Sequence, residues 1–117
     1  MKQAIKKKES SMIKAINIFK QENCDAILST GGTGAFLTGA TLLLGRLKGI
    51  KRPALVSPFP TVNKGKFTTI LDIGANTVSS VEEMYQFALM GNVYHKAVFN
   101  ENNPRVMLLS NGTEDKK

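Results

Sequence analysis

The order of elements read from this chain, helix, strand, helix, two strands, helix and strand, predicts an α/β domain with a layered sheet covered by helices on both faces. Three stretches carry that expectation. Ala26–Ser29 is an apolar run without alternation, as in a strand buried on both sides, and it passes through Thr30-Gly-Gly-Thr-Gly34 into a mostly apolar helix reaching Leu47. Ala54–Phe59 and Phe67–Asp72 are strand-like runs separated by a short polar loop. Ser79 and Ser80 stand three residues before Glu82 and Glu83, a capping-box pattern that opens another helix.

Taken in order, Ser10 or Ser11 can cap a first helix through about Gln21. Met12, Ile13, Ala15, Ile16 and Phe19 form its apolar face, and Lys14, Asn17, Lys20 and Gln21 its polar one. Asn23–Asp25 turns the chain into the first strand. Cys24 lies in that turn with no base near it in sequence, so a packing or neutral role is expected. The helix after the glycine turn is closed by Gly49, and Pro53 blocks its continuation. Pro58 and Pro60 limit the second strand, and the short Thr61–Lys66 loop predicts an antiparallel hairpin with the third.

The capping-box helix runs to about Val98, with Met84, Phe87, Ala88, Gly91 and Tyr94 on its buried side. Gly91 in a helix interior costs about 1 kcal/mol relative to Ala, which predicts close packing against a neighbour. His95, near the helix end, is expected to interact with the dipole. Asn103-Pro104 leads into a last strand, Arg105–Leu109.

The 117 residues suit one domain with a modest core, and a hydrophobic fraction of 42% places the chain among globular proteins. One cysteine excludes an internal disulfide and suits a reducing cytoplasm. A single His beside a single Cys lacks metal-binding spacing. No apolar stretch reaches bilayer-spanning length, and the lysines at the N-terminus are followed by no apolar run of the kind a signal peptide has. The net charge of +7 admits anionic partners, but much of it sits in Lys2, Lys6, Lys7, Lys8, Lys116 and Lys117 and reads as solvated ends. No aromatic interleaving marks a single-strand platform, so no nucleic-acid partner is expected.

The glycine turn is the strongest chemical signal. Gly31, Gly32 and Gly34 can take φ > 0 and keep no Cβ between backbone and ligand, while the following helix aims unpaired N–H groups into the turn. Two nucleotide motifs are rejected. Leu37 stands where a dinucleotide fingerprint needs its third glycine, and Ala40 replaces the lysine of a P-loop after Gly39. A small anion held by Gly31, Gly32, Thr33 and Gly34 is the expectation. If the first, third and last strands run parallel, their exits share one sheet edge, where ligands of open α/β sheets bind. The other two exits are Asp72-Ile-Gly-Ala-Asn76 and Ser110-Asn-Gly-Thr-Glu114, which add Asp72, Gly74, Asn76 and Asn111 to the candidate site.

Several segments occur together: Lys8-Glu-Ser-Ser-Met12, Ser29-Thr-Gly-Gly-Thr-Gly-Ala35, Leu44-Gly-Arg-Leu-Lys-Gly-Ile-Lys-Arg-Pro-Ala54, Leu71-Asp-Ile-Gly-Ala-Asn76, Gln86-Phe-Ala-Leu-Met-Gly91 and Asn103-Pro-Arg-Val106. In this combination the chain resembles the phosphate acyltransferase family of bacterial phospholipid synthesis, over the middle portion of that family's length. The resemblance implies transfer of a fatty acyl group from acyl carrier protein to inorganic phosphate, giving acyl phosphate. It implies a Rossmann-like fold similar to the isocitrate/isopropylmalate dehydrogenase and phosphotransacetylase group. It also implies a cytoplasmic homodimer associating peripherally with the membrane, and no metal or organic cofactor.

Phosphate attacks the thioester directly in such a reaction, so no protein nucleophile is needed. Backbone N–H groups would hold the dianion, and the Asn76 amide would stabilise the oxyanion or position phosphate. The family usually carries Gly-Asn-Thr-Gly where this chain has Gly31-Gly-Thr-Gly34, and an Asp where it has Val78. A piece of a longer catalytic domain is expected, with weak activity alone and an exposed apolar patch. The competing expectations are a related-fold enzyme acting on a small phosphorylated or CoA-linked substrate, and an inactive basic binding module.

Overall fold

Ser10 sets the first helix. In the computed structural model, which describes residues 10–22 and 24–110, Ser10 has extended backbone angles and its Oγ accepts the Ile13 N–H at 3.4 Å. Helix α1 then spans Ser11–Gln21 and buries Ile13 and Ile16, the face the sequence predicts. That face packs on α2, Thr33–Leu43. Gly39 is the contact point: a Cβ there would lie 3.0 Å from Ile16 Cδ1. Lys20 Nζ adds a bond to the Leu43 carbonyl at 3.2 Å. Helix α2 stops earlier than predicted. Gly45, at φ 85°, takes the left-handed conformation that ends it, and Gly49, at φ 89°, serves the following loop.

Strands β1, Val56–Pro60, and β2, Phe67–Leu71, form the predicted antiparallel hairpin, with Val56 opposite Leu71 and Pro60 opposite Phe67. Pro58 and Pro60 lie inside β1, because both strands of a two-stranded sheet have a free edge where a missing N–H costs nothing. Helix α3, Val81–Phe99, carries the full capping box: Ser80 Oγ accepts the Glu83 N–H at 3.3 Å and Glu83 Oε2 accepts the Ser80 N–H at 2.7 Å. It packs on β2. A Cβ at Gly91 would meet Leu71 Cδ1 at 3.2 Å, so the mid-helix glycine does mark a close approach. Phe87 is buried as predicted, while Met84 is 37% exposed.

His95 does more than face the helix end. It is buried, its Nδ1 shares a 2.8 Å hydrogen bond with Thr69 Oγ1, and its Nε2 lies 3.3 Å from Glu101 Oε2. Its ring sits 4.7 Å from that of Phe99, which stacks on Phe67 at 5.0 Å. Cys24 is exposed, so of the packing or neutral role expected of it the packing one is not taken up.

Two predicted strands do not form. Ala26–Ser29 and Arg105–Leu109 belong to no ladder, and the sheet among the described residues has two strands. An isolated extended segment needs a partner to satisfy its N–H and C=O groups, and neither segment finds one. Leu28 is 92% exposed, and Val106, Met107, Leu108 and Leu109 all expose more than half their surface. The chain is therefore mixed α/β, but the predicted Rossmann-like layering and the shared edge of three strand exits are not present among the described residues. The expected exposed apolar surface is present, and the last exit, with Asn111, falls outside the described residues.

Candidate functional site

The glycine loop works by openness, not by unusual φ angles. Gly32 is the N-cap of α2 with φ −60° and ψ 124°, Gly31 has no positive φ, and Gly34 lies in the first helical turn. The positive φ that these glycines permit is not used. Gly32 has nothing within 4 Å of where a Cβ would stand, and no side chain caps the helix start. Its carbonyl takes the Ala35 and Phe36 N–H groups, each at 3.0 Å. Ser29 Oγ accepts the Gly31 N–H at 3.2 Å and shapes the approach. A Cβ at Gly31 would fall 2.7 Å from Met12 Cε, so that glycine gives room to α1. The start of α2, with exposed Thr33 as its first residue, keeps the positive end of its dipole uncovered by side chains.

The second candidate element is the turn leaving β2, braced by one carboxylate. Asp72 Oδ1 accepts the N–H of Leu55 at 2.9 Å and of Ala75 at 3.0 Å. Its Oδ2 accepts the Asn76 N–H at 2.7 Å and the Asn76 side-chain amide at 3.0 Å. Burial pushes the Asp72 carboxyl up, but the donors from Leu55, Ala75 and Asn76 outweigh it, and the net effect holds the group below the usual aspartate value. Gly74 sits at φ 115°, which a side chain would strain. The Asn76 amide nitrogen also donates to the Pro53 carbonyl at 3.0 Å. Asn76 thus spends its Nδ2 hydrogens inside the protein, and its Oδ1 makes no hydrogen bond within the described residues.

Asp72, Gly74 and Asn76 fall in one turn, whereas of the expected loop only Gly31 and Gly32 precede the helix, Thr33 and Gly34 forming its first turn. No hydrogen bond among the described residues joins the two directly. They are linked by the segment from Leu44 to Leu55, whose ends the sequence assigns to the helix reaching Leu47 and to the strand starting at Ala54, but which lies outside both elements. That segment is clamped onto α3. Gln86 Oε1 accepts the Lys51 N–H at 2.8 Å and Gln86 Nε2 donates to the Gly49 carbonyl at 2.9 Å. Arg52 Nε lies 2.8 Å from Glu83 Oε1, Lys51 pairs with Glu82, and Arg46 donates to the Lys51 carbonyl. Glu83 is held below the usual glutamate value, first by the Ser80 N–H, against some desolvation, and then by the Ser80 hydroxyl and the charges of Arg52 and Lys51. Gly49 and Pro53 gave sequence signals only as helix stops, and the role of the Pro53 carbonyl had none.

Among the described residues no group of three or more His, Cys, Asp or Glu could hold a metal ion, and no helix is long and apolar enough to cross a membrane.

Residues 1–117 match the family described as "Fatty acid synthesis protein". A phosphate acyltransferase of Clostridium perfringens (strain SM101 / Type A) is 50% identical over 112 residues, covering 96% of this chain and 32% of the relative. One from Clostridium beijerinckii is 49% identical over 96% of this chain and 33% of its own length. One from Campylobacter jejuni (serotype O:6) is 49% identical over 97% of this chain and 34% of its own. The chain therefore spans about a third of the length of these curated relatives.

Proposed function

The chain belongs to the fatty acid synthesis protein family, and from that membership we propose that it works in an enzyme that transfers a fatty acyl group from acyl carrier protein to inorganic phosphate. One observation carries the reading: half of the residues, across nearly the whole chain, are identical to relatives named phosphate acyltransferase. The geometry supports it with an uncapped, side-chain-free helix start at Gly32, suited to a small dianion.

In the proposed reaction a phosphate oxygen attacks the thioester carbonyl. The carbon–sulfur bond breaks, the sulfur leaves as thiolate and takes a proton, and the product is an acyl phosphate. Gly32, Thr33 and Gly34 hold the phosphate through backbone N–H groups, and Gly31, whose N–H is held by Ser29 Oγ, shapes the approach to them. Asp72 and Gly74 shape the neighbouring turn. Asn76 serves as a positioning residue, because its amide hydrogens already hold Pro53 and Asp72. A net charge of +7 favours approach to anionic partners, and the same reading brings acyl carrier protein, a homodimer and peripheral contact with the inner face of the membrane.

The test is incubation of the protein with an acyl carrier thioester and inorganic phosphate, followed by trapping of acyl phosphate with hydroxylamine. Phosphate-dependent hydroxamate is the expected result. Thioester loss that ignores phosphate concentration would overturn the reading.

A further inference from the structure

We propose that the groove between α2 and the Leu44–Ala54 segment binds the hydrocarbon chain of an acyl substrate and that Ala40 sets how much of it fits. Part of the lining comes from one face of α2, with Leu37 and Ala40 a turn apart and the C-cap Leu44 continuing the row. Ile50, Pro53 and Met90 complete its apolar lining. The groove is open to solvent and has a volume of about 280 Å³. Thr41 offers it little polarity, since its hydroxyl is spent on the Leu37 carbonyl at 2.7 Å.

The position of the groove decides its occupant. Pro53, in its wall, accepts the Asn76 amide, and Leu55, just beyond Ala54, donates to Asp72. Leu37, also in the lining, is four residues along the helix that starts at Thr33, a rise of about 6 Å. The groove therefore adjoins both elements assigned to phosphate, and a molecule with a phosphate-reactive end and an apolar tail matches this order of surfaces. Leu44 to Leu37 adds about 10 Å of wall along the helix. Arg46, also in the lining, is exposed to water. This inference rests on the proposed acyl transfer for the identity of the tail, but not for the existence of tail binding.

The test is calorimetric titration of the purified protein with inorganic phosphate and with butyl, octyl and dodecyl phosphate below their micelle concentrations. Affinity should rise about fourfold per added methylene until the groove is full, then level off. Ala40→Trp, which fills the space, should remove the chain-length dependence while phosphate affinity stays within twofold. Leu47→Asp, at a lining residue that is 80% exposed and so free to change without unfolding the chain, should weaken dodecyl phosphate at least tenfold. Equal affinity for butyl and dodecyl phosphate, or a dodecyl affinity untouched by both substitutions, would overturn the groove assignment. Chain-length dependence that Ala40→Trp abolishes, in a protein that ignores inorganic phosphate, would uphold the groove and count against the phosphate loop alone.

Discussion

The Asn76 side-chain amide bridges the Pro53 carbonyl and Asp72 Oδ2, each at 3.0 Å, and so ties the turn after β2 to the wall of the apolar groove. Asn76→Ala removes both bonds and leaves a half-buried carbonyl and part of a carboxylate short of donors. The cost should be about 1–3 kcal/mol of stability, read as a lower urea midpoint. Asn76→Asp should cost more, because it sets a second carboxylate against Asp72. An Asn76→Asp variant as stable as the parent would show that this bridge does not hold the turn.

Gly32 permits a prediction in which two readouts move in opposite directions. Gly32→Asp places a strong N-cap residue in extended geometry already suited to one, with empty space for its side chain. The fold should gain about 0.3–1 kcal/mol from capping and from the dipole. Phosphate affinity should fall at least tenfold, since the new carboxylate occupies and charges the place proposed for the anion. Thermal unfolding and calorimetry read the two effects separately. Phosphate binding unchanged in this variant would mean that the loop is only a structural turn.

Local signals in the sequence were legible because their partners are local. Ser10 and the Ser80–Glu83 box cap helices within three residues of themselves, and Thr61–Lys66 leaves its flanking strands little choice but to pair. Gly91 announced a close approach because a helix has no other use for it, though not that Leu71 would be the neighbour. Ala26–Ser29 and Arg105–Leu109 misled because an apolar run reveals a preference for extension but not a ladder partner. The site shows the same division. Asp72–Asn76 could be picked as a polar turn, yet Asn76 spends its amide on a carbonyl 23 residues away, which no window of sequence contains. Gly49 reads as the helix stop in the sequence, but Gly45 takes the left-handed conformation four residues earlier and ends the helix first.

The α3 start should show two different kinds of damage. Ser80→Ala removes the hydroxyl that accepts the Glu83 N–H and should cost about 1 kcal/mol. Glu83→Ala removes the other half of the box and also releases Arg52 from its 2.8 Å contact. Its effect should therefore spread to the clamped segment, with faster hydrogen exchange at the Lys51 amide, while Ser80→Ala leaves that amide's protection nearly unchanged. Equal loss of Lys51 protection in both variants would mean that Glu83 does not clamp the loop through Arg52.

Acid should loosen the fold through Asp72 and Glu83. Both carboxyls are held below their ordinary values in the folded chain, Asp72 because its hydrogen bonds outweigh burial and Glu83 chiefly through the Ser80 N–H. A group with a depressed folded pKa binds protons more readily when unfolded, so its stabilising effect is complete above the unfolded value and is lost as pH falls through the folded one. Urea midpoints should be level from pH 7 to about 5, then decline below about 4.5, where ordinary carboxylates begin to protonate. Asp72→Asn and Glu83→Gln should each start from a lower midpoint at pH 7 and decline less steeply in acid, because the titrating group is gone. The decline assigned to Asp72 should persist at high salt, since its partners are hydrogen-bond donors held at 2.7–3.0 Å. The part of the Glu83 effect due to Arg52 and Lys51 should shrink under the same screening. An acid slope unchanged in the double variant would place the responsible groups elsewhere in the chain.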